Sequence, residues 1–229
     1  MIDRPRTLQT DMLPETLAVF PLPGAMLLPD GQLPLNIFEP RYLNMVEDAL
    51  QSPSRLIGMI QPVAEKDEHL IADGVTLYDI GCAGRIIEFN ETGDGRYAIT
   101  LAGVIRFRIA QELPVVDGYR CIRPDFTPYM DDMAYLGIDE TPPVSGRDKL
   151  ITAMTRYFDT KGIEADMTGI EDAPDALLIN TLAMTCPLDP GEKQALLECP
   201  DTHQRAALLT SIFEIEAHGD GTVSHDVRQ

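Results

Sequence analysis

Five prolines fall between Phe20 and Tyr42, in FPLPGAMLLPDGQLPLNIFEPRY, and they leave this stretch few ways to fold. Apolar segments at Leu17–Leu22 and Gln32–Phe38 flank a loop carrying Pro21, Pro23 and Pro29. Gly24 and Gly31 supply permissive backbone within it. Pro34 opens the second segment, and a strand tolerates proline only at an edge or an end. Glu39-Pro40 then starts a helix, because proline at the first helical position loses no hydrogen bond. Tyr42, Val46, Ala49 and Leu50 share one face of that helix. The reading is strand, proline-rich crossover, strand, helix.

The net charge of −19 argues against a nucleic-acid partner, which needs a basic footprint. Arg106, Arg108, Arg120 and Arg123 are the place to seek a local exception, although alternation along a strand makes them equally good flanks of a buried row. Hydrophobic content of 44% over 229 residues is ample for a core without covalent staples. Cys82, Cys121, Cys186 and Cys199 lack C-x-x-C spacing and read as reduced, buried thiols. No apolar run is long enough to span a bilayer, and MIDRPRTLQT has no apolar core of its own. The expectation is a cytoplasmic protein without a membrane partner, a metal or a cofactor.

Taken in order, residues 1–16 read as a flexible arm. Leu56–Ile60 is a short buried strand and 62–75 a charged loop. Leu77–Gly81, Gly84–Asn90, Arg96–Leu101 and Val104–Gln111 follow as strands, with Glu91–Gly95 as a hairpin connection. Tyr119–Phe126 is the last strand. Many short strands favour a closed or half-closed barrel, since closure removes exposed edges. Residues 17–126 thus form a β-rich lobe. Residues 127–144, mixed in acids, prolines, methionines and tyrosines, read as a linker. Helical periodicity marks 145–218 as a helical lobe, with Ser145 and Asp148 as a capping pair, Pro174 at a second start, Asp189-Pro190-Gly191-Glu192 at a third and Asp201 with Gln204 at a fourth. Gly219-Asp220-Gly221 ends the pattern, leaving 219–229 as a tail and predicting a standalone protein.

Phe20-Pro21-Leu22, Pro29 and the run Leu35-Asn36-Ile37-Phe38-Glu39-Pro40-Arg41-Tyr42 resemble the opening of the substrate-binding domain at the amino end of Lon proteases. Leu101-Ala102-Gly103 with Arg106–Ile109, and Leu188–Glu198, are similar to later segments of that family. Phe38, Glu39, Pro40, Arg41 and Tyr42 are then its structural motif. The resemblance implies an α+β fold, a PUA-like β pseudo-barrel followed by a helical bundle. It also implies a polypeptide-binding module of protein quality control or proteolysis. Its partners would be unfolded or damaged polypeptides, with a protease or chaperone as a further one.

The chemistry of a complete Lon is missing from these residues. An ATPase needs a Gly-Lys phosphate loop, and no Gly-Lys dipeptide occurs. Ser145 and Lys149 lie four apart but read as helix cap and solvated lysine, not as an activated nucleophile. No catalytic residue is assigned, and the chain is expected not to be an enzyme. PUA-like barrels that bind RNA supply the alternative function, opposed by the charge. For a client site, Met26, Leu27 and Leu28 in the proline loop and Tyr129, Met130, Met133 and Tyr135 in the linker are the candidates. Adaptable thioethers and rings suit promiscuous apolar contact, and the competing reading packs them inward.

Overall fold

A computed structural model describes residues 12–63, 75–135, 143–165, 169–170 and 173–219. The chain divides into two compact units. Among the described residues, the first holds 12–63, 75–135 and Pro187–Leu197, and the second holds the rest. The expected flexible arm falls mostly, and the tail almost wholly, outside the described residues.

Six strands build the first unit: β1 (Leu17–Pro21), β2 (Gln32–Ile37), β3 (Leu56–Ile60), β4 (Ile80–Thr92), β5 (Arg96–Val116) and β6 (Tyr119–Asp125). Helix α1 (Pro40–Gln51) follows β2, with Glu39 as its cap residue and proline in its first turn. The sheet order is β2-β5-β4-β3-β1-β6, and β5 also pairs with β6. That extra pairing closes β5, β4, β3, β1 and β6 into a ring, with β1 and β3 parallel and the other pairs antiparallel. β2 stands outside the ring on the first half of β5. Inside lie Leu17, Val19, Leu56, Ile60, Ile105 and Ile122, with Phe107 and Phe126 meeting edge to face at 6.5 Å.

Two expected breaks between strands are absent. β4 starts at Ile80 and runs on through Gly84, the expected start of a new strand, and the 21-residue β5 runs through Gly103, which falls between two expected strands. The two glycines are instead places where another part of the chain comes close, the alternative meaning of glycine in a strand. A Cβ at Gly103 would stand 1.9 Å from the carbonyl oxygen of Leu28, and one at Gly84 would stand 2.5 Å from a methyl of Leu27. The proline loop therefore lies on this wall. Asp30 N–H donates to the Gly103 carbonyl at 3.0 Å, and Gly103 N–H donates to that of Gly31 at 2.8 Å.

The expected helical lobe loses one of its helices to the barrel unit. In the second unit run α2 (Arg147–Lys161), α3 (Asp175–Thr185) and α5 (Thr202–Gly219), whereas α4 (Pro190–Glu198) lies almost wholly in the first. The starts of α4 and α5 match their sequence signals. Asp189 N–H donates to the Glu192 carboxylate at 3.0 Å, and Gln204 N–H to Asp201 at 2.8 Å. The start of α2 does not: its cap is Gly146 in the left-handed region, with no side-chain cap from Ser145. The anchor there is Asp175, which accepts from the Val144 N–H and pairs with Arg147. Tyr157 stacks on Phe213 at 4.7 Å, joining α2 to α5, and Arg205 donates to Asn180 at 3.1 Å, joining α5 to α3.

Two outcomes follow. Gly103→Ala is expected to cost about 1–3 kcal/mol or more, because its methyl meets backbone. Gly84→Ala is expected to cost less, because its methyl meets side-chain atoms of Leu27 and Leu101 and not backbone; comparing the two in denaturant melts checks the ranking. In the second unit, partial burial raises the Asp175 pKa, but the Val144 N–H and the Arg147 guanidinium outweigh it and hold the carboxyl below its ordinary value. Its stabilisation is complete above the unfolded pKa of about 4 and is lost as pH falls through the lower folded value. Thermal melts should therefore show Asp175→Asn costing stability at neutral pH and progressively less below about pH 4.

Candidate functional site

The three-stranded flap β2–β5–β4 carries the surface with most to offer a partner. Its register aligns Pro34 with Thr100 and Glu88, and Asn36 with Ala98 and Asn90. These six residues share one face, by the alternation of side chains along strands, and they line a shallow groove of about 520 Å³. Phe38 continues the row past the end of β2. It is 60% exposed, and the Arg96 guanidinium lies over its ring at 5.6 Å.

Aromatic surface continues around the flap. Phe89, 43% exposed, meets Tyr97 at 5.0 Å, and the Tyr97 hydroxyl donates to Glu47 of α1 at 2.6 Å. At the start of α1, Arg41 forms a fork with Glu39 at 2.8 and 3.0 Å and lies over the Tyr42 ring at 4.6 Å. Tyr42 itself is buried against Phe20. The β5–β6 hairpin tip, with Val115 and Val116 exposed, comes beside Arg41 at Gly118. Large apolar side chains held in water this way mark interaction surfaces.

The charges of this surface are unevenly matched. Arg41 is met by Glu39 and Arg96 by Asp94. Glu47 and Glu88 accept from the hydroxyls of Tyr97 and Thr100, and no cation pairs with either among the described residues. The surface is thus apolar with a negative surplus.

The sequence-derived client residues are placed differently. Met26, Leu27 and Leu28 are buried, at 2%, 1% and 0% exposure, so the expected exposed loop is corrected. The glycines opposite make room for the Leu27 side chain and the Leu28 backbone, and burial then wins at about 1.5–3 kcal/mol per large apolar side chain. The linker reading of 127–144 is also corrected in its first half, because Thr127–Tyr135 is a 3-10 helix. Tyr129 and Met133 pack against the barrel core, while Met130 is 36% exposed. The Tyr135 side chain and residues 136–142 lie outside the described residues.

Arg106 causes that ordering. It is 5% exposed and reaches Asp132 through Nε at 2.9 Å and Nη2 at 2.7 Å. Its backbone N–H donates to the same carboxylate at 3.0 Å. Nη1 donates to the Leu197 carbonyl at 3.2 Å, in the last turn of α4, and the guanidinium lies 4.9 Å from the Tyr129 ring centre. Burial opposes the charge, and Asp132 more than offsets it. Arg120 and Arg123 are likewise engaged, with Glu112 and Gln111, and only Arg108 of the four is exposed without a named contact, so these arginines do not form one open basic patch among the described residues. Sequence reasoning missed Asp132; an acid at its position in a segment rich in aromatic and sulfur side chains was the available signal.

The family model of the ATP-dependent protease La (LON) substrate-binding domain matches residues 16–214. The chain belongs to this family. The crystal structure of a Lon N-terminal domain protein from Xanthomonas campestris superposes with a TM-score of 0.56 at 21% identity, covering 86% of this chain and 97% of that one. The N-terminal domain of a Mycobacterium avium complex Lon protease gives 0.57 at 14% identity, with the same coverages. The Lon protease of Haemophilus influenzae is 23% identical over 205 residues, which is 88% of this chain and 24% of that protein. Lon protease 2 of Myxococcus xanthus is 28% identical over 108 residues, 47% of this chain and 13% of its own. The chain thus spans about an eighth to a quarter of the length of these two proteases. The Lon-type fold is the α+β pair of lobes that the resemblance implied. Among the described residues, no helix is long and apolar enough to cross a membrane.

Removing one partner of the Arg106–Asp132 pair strands a buried charge. Arg106→Met alone is expected to cost about 3–5 kcal/mol, and Arg106→Met with Asp132→Leu clearly less. Denaturant melts of the single and double variants test this, and a double variant no better than the single one would contradict it.

Proposed function

We propose that this chain binds unfolded or damaged polypeptides through the flap and aromatic rim, and does not itself hydrolyse ATP or cleave peptides. The observation that carries the reading is the match to the LON substrate-binding domain over 16–214. The exposed Phe38, Phe89, Val115 and Val116 support it physically, since an unfolded chain offers apolar side chains without fixed shape. Met130 adds an adaptable thioether on the 3-10 helix, and Tyr135 is a further client-contacting residue. Met26, Leu27 and Leu28 are left out because they are buried. The protein acts in the cytoplasm as an adaptor in quality control, passing clients to a protease or chaperone.

Fluorescence anisotropy with a labelled, permanently unfolded model protein tests the reading. Unlabelled unfolded protein should displace the probe, and single-stranded RNA should not. Phe38→Ser is expected to weaken binding about tenfold, equal to 1.4 kcal/mol, at an unchanged melting temperature. Displacement by RNA alone, or turnover of ATP that is lost on substituting one of the chain's own residues, would overturn it.

A further inference from the structure

Among the described residues, β2 is an edge strand that pairs only with β5 and leaves its outer side open. In an antiparallel pair, alternate residues direct both N–H and C=O toward the partner. Gly103 N–H donates to the Gly31 carbonyl, so Gly31 faces β5, and by alternation so do Leu33, Leu35 and Ile37. Gln32, Pro34 and Asn36 therefore direct their backbone groups outward. Pro34 fits independently, because a proline facing β5 would remove a hydrogen bond from the ladder. The open edge thus offers the carbonyls of Gln32, Pro34 and Asn36 and the N–H groups of Gln32 and Asn36.

Pro34 also limits what can pair there. A second copy of β2 aligned antiparallel across this edge would bring two prolines into the ladder and forfeit donors from both strands. A foreign strand forfeits only the one bond opposite Pro34. The edge is thus biased against self-association while still accepting another chain, the usual role of an edge proline. The groove beside the edge, lined by Pro34, Asn36, Glu88 and Thr100, would take alternate side chains of an added strand. Glu88, on the groove face, lacks a cationic partner among the described residues, so a strand whose basic side chains fall on that face complements the surface.

We propose that an unfolded client binds as an added β-strand along the outer edge of β2, through a segment alternating apolar with basic residues. This rests on the polypeptide-binding reading above and specifies its geometry. Backbone bonds would then supply affinity with little demand on client sequence, and the flanking side chains a preference for apolar and basic residues.

The test uses the full chain and a labelled eight-residue peptide alternating valine and lysine. Two analogues carry N-methyl groups on its odd or on its even amides. An added strand presents only alternate amides to its neighbour, so one analogue should bind at least tenfold more weakly and the other within about twofold of the parent. Hydrogen exchange at the Gln32 and Asn36 amides should slow at least tenfold on peptide binding. Asn36→Pro should weaken binding similarly, Pro34 being precedent for proline at an outward position. Equal affinity of all three peptides, or unchanged exchange at Gln32 and Asn36 in the saturated complex, would overturn strand addition and leave the polypeptide-binding reading intact. Failure to bind the parent peptide while the unfolded model protein binds would overturn the alternating apolar-basic client alone. Failure of both probes would overturn the functional reading, and strand addition with it.

Discussion

The barrel depends on the absence of a side chain. At position 103 the Leu28 carbonyl occupies the space where a Cβ would stand, 1.9 Å away. That contact brings the proline loop onto the wall, and the loop's apolar triplet then packs instead of facing water. Loop and strand exchange backbone hydrogen bonds at the same point, fixing where β2 begins against β5. The edge, the groove and the exposed Phe38 inherit their register from this one close approach.

The sequence carried the outline of the fold because its signals were local. Proline after Glu39 located α1, Leu56–Ile60 was read with its observed ends, and the acids before α4 and α5 cap them as expected. Failures came where meaning depended on distant partners. Glycine at 84 and 103 is chemically the same whether it ends a strand or admits a loop, and only the position of Leu27 and Leu28 decides. Ser145 offered a good cap at α2, but the chain turned at Gly146 because Asp175, about thirty residues on, holds Val144 and Arg147.

The surface was harder to read than the core, for a related reason. Rows of apolar residues announce themselves by period, but exposure is a remainder left after packing. Met26, Leu27 and Leu28 look like a sticky patch in sequence, whereas Phe38 looks like the last core residue of a strand. The structure reverses both. Phe38 is turned out by strand alternation: it follows Ile37, which is 2% exposed, and the chain enters α1 before it can turn back. Arg106 was also legible only as one of a row of arginines; its role requires Asp132, 26 residues away.

Helix α4 makes the barrel unit discontinuous along the chain. Lys193 reaches the Gly24 carbonyl at 2.8 Å, Gln194 the Ile80 carbonyl at 3.1 Å, and Gln61 the Pro190 carbonyl at 3.1 Å. During synthesis the strands leave the ribosome long before these groups exist. The six strands can pair early, but the polar ends of Gln61 and Arg106 wait for residues 190–197 before their bonds are complete. The nascent barrel is therefore a provisional structure, and the whole second-unit segment up to Cys186 must be made before it is sealed.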